Sequence, residues 1–467
     1  MLGAFGYAQP GDRNVRKVYM DYCSGCHGDD LRGGKAASLI DNKWKHGGGD
    51  DSLLRSIHDG YPEDGMPAFK DAINEAEERA LIAYIRETAT RSVDPQPGEE
   101  DALPEGIRKS EEHSYRIESI AEGLDVPWSM TFLPDGRLLV TERVGRLRVI
   151  DHHQLLPTPI SGVPRVVVRD EAGLMSVVAD PDFAQNGWIY LSFSDPGEDD
   201  TAMTKIIRAQ LRGGELINRE TIFSIPREQY QKGYVLFGGR LVFQGDYLFF
   251  SVGERGMEEG TTGKAQDLTA VNGKIHRVFR DGRVPPDNPF ANVAGNAGSI
   301  WAYGVRNPQG LAIDPRNGDL WETEHGPRGG DELNHIRRGR NYGWPIITLG
   351  MNYDGTPISD KTEAPGMEQP VINWTPSIAV SEIEFYTGDR FPRWKGNLFL
   401  GSLAQQKFVR VVLDGDRVAH YEQVFSRLGR VRDIKTGPDG YLYLALELIG
   451  KRGRIVRLVP AEDSAPP

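Results

Sequence analysis

The chain has 467 residues, 39% hydrophobic and 26% charged, with a formal net charge of -12, a soluble globular composition long enough for two or more domains. The acidic balance argues against nucleic acid or an anionic membrane as partner, since either needs a basic surface, and suits a small cationic redox partner better. No apolar run approaches the roughly 20 residues of a membrane-spanning helix, so no span is expected.

The opening MLGAFGYAQP has small residues near Ala8 suited to cleavage, so residues 1–11 are expected to be a residual signal-like segment. Next comes Cys23-Ser24-Gly25-Cys26-His27, the C-x-x-C-H pattern in which two thiols add to haem vinyl groups and the histidine reaches the iron. A redox dithiol also uses C-x-x-C, and a half zinc site would need His46 or His58 as further ligands. The order of residue types favours haem c.

Val15, Val18, Tyr19 and Tyr22 before the motif, and Ala80, Leu81, Tyr84 and Ile85 within residues 74–87, fall at helical spacing. Two helices are therefore expected to pack across a porphyrin. Between them, Met66 in a Gly-Met-Pro turn offers a sulfur for the sixth iron position, although a lone methionine is more often core. Residues 12–90 resemble class I cytochrome c domains. Thioether attachment of haem occurs outside the bacterial cytoplasm, so the periplasm is the expected location.

Residues 91–114 are rich in proline and charge and poor in large apolar side chains, which reads as an interdomain linker. From 115 to 462 one pattern recurs six times: an Asp/Gly-rich turn, then an alternating strand. The units are 132–143, 179–195, 243–256, 313–326, 391–403 and 436–447, and their strands are expected to approach a central axis. Six such units predict an all-β six-bladed β-propeller, with long insertions in blades four and five, after a small all-α domain. A pair of irregular β-sandwiches is the alternative.

At YGVRNPQGLAID, EHGPRGGDELN and NYGWP (303–345), with WSMTFLPDGRLLVTER and RVRDIKTGPDGYLY, the chain closely resembles the soluble glucose/sorbosone (aldose sugar) dehydrogenases over roughly 115–460. That family is a six-bladed propeller using pyrroloquinoline quinone (PQQ) and calcium. The resemblance implies that Arg306, Asn307, Arg430 and Arg432 grip PQQ, bidentate guanidiniums matching carboxylates. For Arg430 and Arg432 a solvated face with acidic partners is the competing reading. It also implies that the carbonyls of Gly326 and Pro327 hold the cofactor's calcium, and that Glu332 and the carbonyl of Tyr342 serve a neighbouring site.

Three positions depart from the family. Leu236 stands where the general-base histidine is expected, Glu171 replaces a cofactor-bonding glutamine, and Ala404 replaces a lysine at the quinone. Glu171, His276, His325 and Lys407 are candidate substitutes, both histidines being ordinarily structural. The expected function is a periplasmic quinohaemoprotein that oxidises a sugar, alcohol or aldehyde with PQQ and passes electrons to its haem, then to a downstream cytochrome or terminal oxidase. The alternative is a propeller that has lost PQQ catalysis and docks the cytochrome domain.

Overall fold

The computed structural model describes residues 13–93, 103–256, 263–293 and 295–461; the signal-like segment expected at 1–11 lies outside them. Asn14 opens the first helix, α1 (Val15–Tyr22), by accepting from the Arg16 N–H at 2.9 Å. A short helix, α2 (Ser24–His27), carries the C-x-x-C-H residues, and α3 (Asp50–Asp59) precedes the Met66 loop. The last helix, α4 (Glu75–Val93), begins with a reciprocal cap: Asn74 Oδ1 accepts from Glu77 N–H at 2.9 Å and Glu77 Oε2 from Asn74 N–H at 3.2 Å. Val18 and Tyr19 of α1 pack with Leu81 and Ile85 of α4 to form the core of this domain. The helix expected at 74–87 thus runs on to Val93, and Arg108–Lys109 already pairs with Ser114–Leu124, so the span outside both domains is shorter than 91–114.

Beyond it the chain forms six antiparallel sheets, five of four strands and one of five. The first strands of the blades, Pro127–Phe132, Leu174–Ala179, Gly238–Gln244, Pro308–Ile313, Val380–Phe385 and Arg430–Thr436, touch one another in a closed ring. That is a six-bladed propeller, not a pair of sandwiches. The sixth blade is completed from the other end of the chain, because Ser114–Leu124 pairs with Gly453–Pro460.

Each of the six turn-strand units is the turn from a blade's first strand into its second. The strands they mark are therefore one step out from the axis rather than lining it, and they are buried because a blade lies on each side of them. The same offset moves the insertions. They lie in blade three, between Val252 and Lys274 and between Phe279 and Ile300, and in blade four, between Ile336 and Ile372.

Six apolar clusters fill the spaces between neighbouring blades, one at each contact around the ring. Trp394, fully buried between blades five and six, stacks on Phe391 with ring centroids 4.4 Å apart. Trp394→Ala is expected to cost about 3–5 kcal/mol, read as a lower midpoint in a denaturant titration followed by near-UV circular dichroism.

Candidate active site

The N-terminal domain holds Cys23 and Cys26 as free thiols. Burial pushes the Cys23 thiol up to about 12, the opposite of the depressed value a redox dithiol needs. His27 Nδ1 lies 2.8 Å from the Ala37 carbonyl. A carbonyl only accepts, so Nδ1 carries the proton and the Nε2 lone pair is left for a metal, the usual arrangement of a ligating histidine. His46 is engaged by Asp64 and His58 by Glu78, and neither joins the cysteines in a zinc site.

Met66 sits in a loop closed by two backbone hydrogen bonds with Tyr61, of 2.8 and 3.1 Å, and is not part of the domain core. Cys23, Leu39, Trp44, Leu54 and Phe69 are apolar side chains left only partly covered against that core. An incompletely covered apolar surface beside a free imidazole nitrogen and two thiols fits a covalently attached haem.

In the propeller, the starts of the first strands and the ends of several second strands meet around a cavity of about 340 Å³, within the size range of cofactor sites. All six blades contribute to its wall, among them Trp128 and Arg143, Glu171 and Met175, Phe237, Gln309 and His325, Ala404, and Arg430 and Arg432. A larger hollow of about 530 Å³ lies on the flank of blade two, but it draws on that blade and its neighbouring loops alone. Convergence of all six blades marks the axial cavity as the candidate site.

Charge on the axial wall is unbalanced. Arg143, Arg430 and Arg432 supply three guanidiniums. Glu447, which does not line the cavity, binds Arg432 at 2.5 Å and approaches Arg430 at 3.6 Å, and Glu171 is the one carboxylate on the wall. The Nε atoms of Arg143 and Arg430 are buried without a hydrogen-bond acceptor. Burial, then repulsion from Arg432, holds Arg143 below the usual guanidinium range. Arg430 and Arg432 thus have an acidic partner, and they also line a cavity with donors to spare. A bound polycarboxylate would supply the missing acceptors, so the residues present fit PQQ.

Leu236 adopts a left-handed backbone, φ 57°, and its side chain is buried, 4% exposed and not on the cavity wall. Glu171 reaches the same point from the next blade. Its Oε2 accepts from the Leu236 N–H at 2.8 Å, and its own N–H donates to the Tyr234 carbonyl at 3.0 Å. A carboxylate therefore stands beside the backbone of residue 236.

The structure separates the other candidates. His276 is fully buried in blade three with Nδ1 3.0 Å from Ser299 Oγ and Nε2 3.0 Å from the Val271 carbonyl, so it has no part in the cavity. His325 is on the wall, but its Nε2 donates to the Val380 carbonyl at 2.6 Å and burial pushes it down to about 3. Lys407 is not on the wall; Ala404 is.

Arg306 and Asn307 stand behind the wall. Arg306 donates to the His325 carbonyl at 2.9 Å and lies over Trp344, and Asn307 Oδ1 accepts from the Gly238 N–H at 3.1 Å while its Nδ2 is buried without a partner. Sequence reasoning missed Arg143 and Tyr353, both on the wall. Arg143 directly follows a blade's second strand, a position shared by His325, and that was the available signal.

Gly326 and Pro327 line the cavity, and the Gly326 N–H is fixed by Asp331 Oδ1 at 2.9 Å. Glu332 is paired across the strands with Glu324 and shares Asn334 Nδ2 with Glu322. Burial holds all three carboxyls above the usual carboxylate range. Glu322 Oε1 and Asn334 Oδ1 lack donors, oxygen acceptors of the kind calcium takes. Tyr342 is buried nearby in sequence, its hydroxyl donating to the His335 carbonyl at 2.6 Å. Among the described residues no three His, Cys, Asp or Glu side chains converge on one metal position, so the calcium expectation rests largely on main-chain carbonyls.

Residues 124–457 match the glucose/sorbosone dehydrogenase family model, and residues 11–85 match that of cbb3-type cytochrome c oxidase subunit III. The chain is 41% identical over 354 residues to an aldose sugar dehydrogenase of Escherichia coli (strain K12), covering 74% of this chain and 93% of that one. The apo-form crystal structure of the soluble aldose sugar dehydrogenase from Escherichia coli aligns with a TM-score of 0.70 at 40% identity, over 74% of this chain and 100% of that chain. The PQQ-bound form of the Streptomyces coelicolor aldose sugar dehydrogenase aligns with a TM-score of 0.60 at 28% identity, over 74% and 98%.

The charge imbalance is testable with a simple polycarboxylate. Citrate is expected to raise the melting temperature of the unliganded protein. Arg432→Met should remove that shift, and Glu171→Gln, which keeps an oxygen for the Leu236 N–H, should enlarge it.

Proposed function

We propose that this chain, which belongs to the glucose/sorbosone dehydrogenase family, oxidises a sugar, alcohol or aldehyde with PQQ and delivers the electrons to a haem c in its own N-terminal domain. The observation that carries the reading is the axial wall, where three guanidiniums share the lining with one carboxylate, Glu171, and two guanidinium Nε atoms lack acceptors. The periplasm is the proposed location, because thioether-linked haem is made there. A downstream cytochrome or terminal oxidase is the proposed acceptor.

When bound, PQQ supplies a two-electron oxidant, calcium a Lewis acid beside it, and haem c a one-electron outlet. Arg143, Arg430 and Arg432 would hold and orient the PQQ carboxylates. Trp128 and Phe237 give the cavity its apolar wall. The carbonyls of Gly326 and Pro327 would hold the calcium, Glu332 and the Tyr342 carbonyl would serve the neighbouring calcium, and Arg306 and Asn307 brace the wall from behind. At the other end, Cys23 and Cys26 would form the thioethers, and His27 Nε2 and Met66 Sδ would supply the ligands to the iron.

Glu171 takes the role left by Leu236. Its Oε2 is occupied by the Leu236 N–H, so Oε1 is the free atom that accepts the substrate's hydroxyl proton. Because Glu171 is exposed, the proton passes from it to solvent. The second reading, a propeller without PQQ catalysis that docks the cytochrome domain, is favoured by the burial of Leu236 away from the cavity and by Ala404 on its wall.

Reconstitution with PQQ and calcium separates the two. On the first reading, aldoses, alcohols or aldehydes bleach PQQ and raise the reduced haem band, and Glu171→Gln slows this by about a hundredfold or more. Haem that stays oxidised with every substrate in the wild type, yet is reduced in Leu236→His, would establish the second.

A further inference from the structure

The loop from Gly326 to Gly330 faces two ways. Gly326 and Pro327 line the axial cavity. The next residue, Arg328, leaves the propeller and grips the N-terminal domain: its Nε lies 3.0 Å from both oxygens of Glu87 on α4, and its Nη2 donates to Glu87 Oε2 at 2.7 Å. Both side chains are largely covered, 19% and 11% exposed, so this bidentate pair is shielded from the screening that weakens surface ion pairs.

A second strand of contact runs alongside. The Met351 N–H donates to the Arg328 carbonyl at 3.1 Å, and the Met351 side chain, 2% exposed, is buried in the core of the N-terminal domain. Two residues on, Tyr353 lies on the cavity wall. The Gly355 carbonyl accepts from the Val15 N–H at the start of α1 at 2.9 Å. Segment 350–355 of the propeller therefore contributes to the N-terminal core and to the cavity at once.

The two backbones are pressed together with no side chain between them. A Cβ on Gly350 would stand 2.5 Å from the Gly329 oxygen, and one on Gly330 would stand 2.8 Å from the Gly350 nitrogen. Between α4 and residues 348–359 the gap is about 10 Å³, scarcely enough for one water. A glycine-tight contact without slack transmits displacement, because nothing in it can rotate to absorb a shift.

We propose that the N-terminal domain is a structural part of the propeller's cavity, with Arg328 and Glu87 as positioning residues that couple its seating to the binding of PQQ there. The coupling rests on reading the cavity as a cofactor site. By linkage it is reciprocal: whatever fixes Gly326 and Pro327 favours the seated domain, and a seated domain favours the ligand by the same factor. The eight residues of α1 then set the span from this contact to Cys23, about 12 Å.

Glu87→Gln and the exchanged pair, Glu87→Arg with Arg328→Glu, test this in the full chain. Hydrogen exchange without any ligand comes first: Glu87→Gln should speed exchange at the Gly326, Gly330 and Met351 amides, and the exchanged pair should restore protection. Unchanged exchange overturns the proposal. Equilibrium titration with PQQ and calcium, read by quenching of tryptophan fluorescence, comes second. Binding about five- to tenfold weaker in Glu87→Gln, recovered in the exchanged pair, supports the coupling; equal affinity in all three chains overturns it. If the wild type binds no PQQ, the cofactor reading fails, while the exchange result still decides whether the domain holds the loop.

Discussion

The site depends on one pairing, that of Ser114–Leu124 with Gly453–Pro460. The strands come from opposite ends of the propeller, so the ring closes by hydrogen bonds and not by chain continuity. Without the pairing, the sixth blade would present Gly453–Pro460 as an unpaired edge and lose part of the apolar cluster it shares with blade one, to which Ile120, Ala121 and Leu124 belong. The cavity needs closure more than the blades do. Each blade contributes only a few residues to its wall, and Arg143 and Arg432, which repel one another across the blade-one to blade-six contact, are brought together by the closure.

Beneath the cavity, buried charges hold the inner strands in register. Arg240 of blade three lies 2.5 Å from Glu382 of blade five and 3.1 Å from Asp433 of blade six, over the ring of Trp128 from blade one. Its Nε donates to the Gln309 carbonyl of blade four, so the Glu382 contact is an ion pair and not an aligned hydrogen bond. Lys435 offsets the remaining acidity at 2.8 Å from Glu382. Such a network adds little net stability against an apolar core, but losing one member strands a buried charge at a cost of about 3–5 kcal/mol. Its effect is on shape: five blades are referred to one guanidinium, and the wall above inherits that register.

What the sequence made legible was local. Cys23, Cys26 and His27 are read within five residues, the turn-strand units each within about fifteen, and Arg430 and Arg432 share a strand face because a strand alternates. What it hid was set by distance along the chain. Arg328 and Glu87 are 241 positions apart, and nothing near either residue announces the other. Met351 reads as a loop methionine and is core to a different domain. Arg306 and Asn307 show a subtler limit: the motif around them is distinctive, yet they brace the wall from behind while Gln309 and Arg143 form it. A sequence pattern identifies which strand approaches a site but not how deep each side chain lies.

Leu236 and Glu171 are better understood together than as two separate positions. The backbone at 236 is locked whatever its side chain: a Cβ on Gly253 would lie 2.1 Å from the Leu236 oxygen, and one on Gly238 would lie 2.7 Å from the Gly253 nitrogen. A left-handed leucine is costly, by roughly 1–2 kcal/mol, whereas histidine and asparagine are enriched in that conformation. The surroundings therefore impose a backbone shape that suits histidine or asparagine better than the leucine that occupies it, whose side chain is buried. The Glu171 carboxylate puts an acceptor on the N–H of residue 236 itself. The polar group at this point thus comes from Glu171 of the neighbouring blade, across a single hydrogen bond from the backbone of residue 236, and it shares the wall with the guanidiniums of Arg143, Arg430 and Arg432 and with the loop gripped by the N-terminal domain.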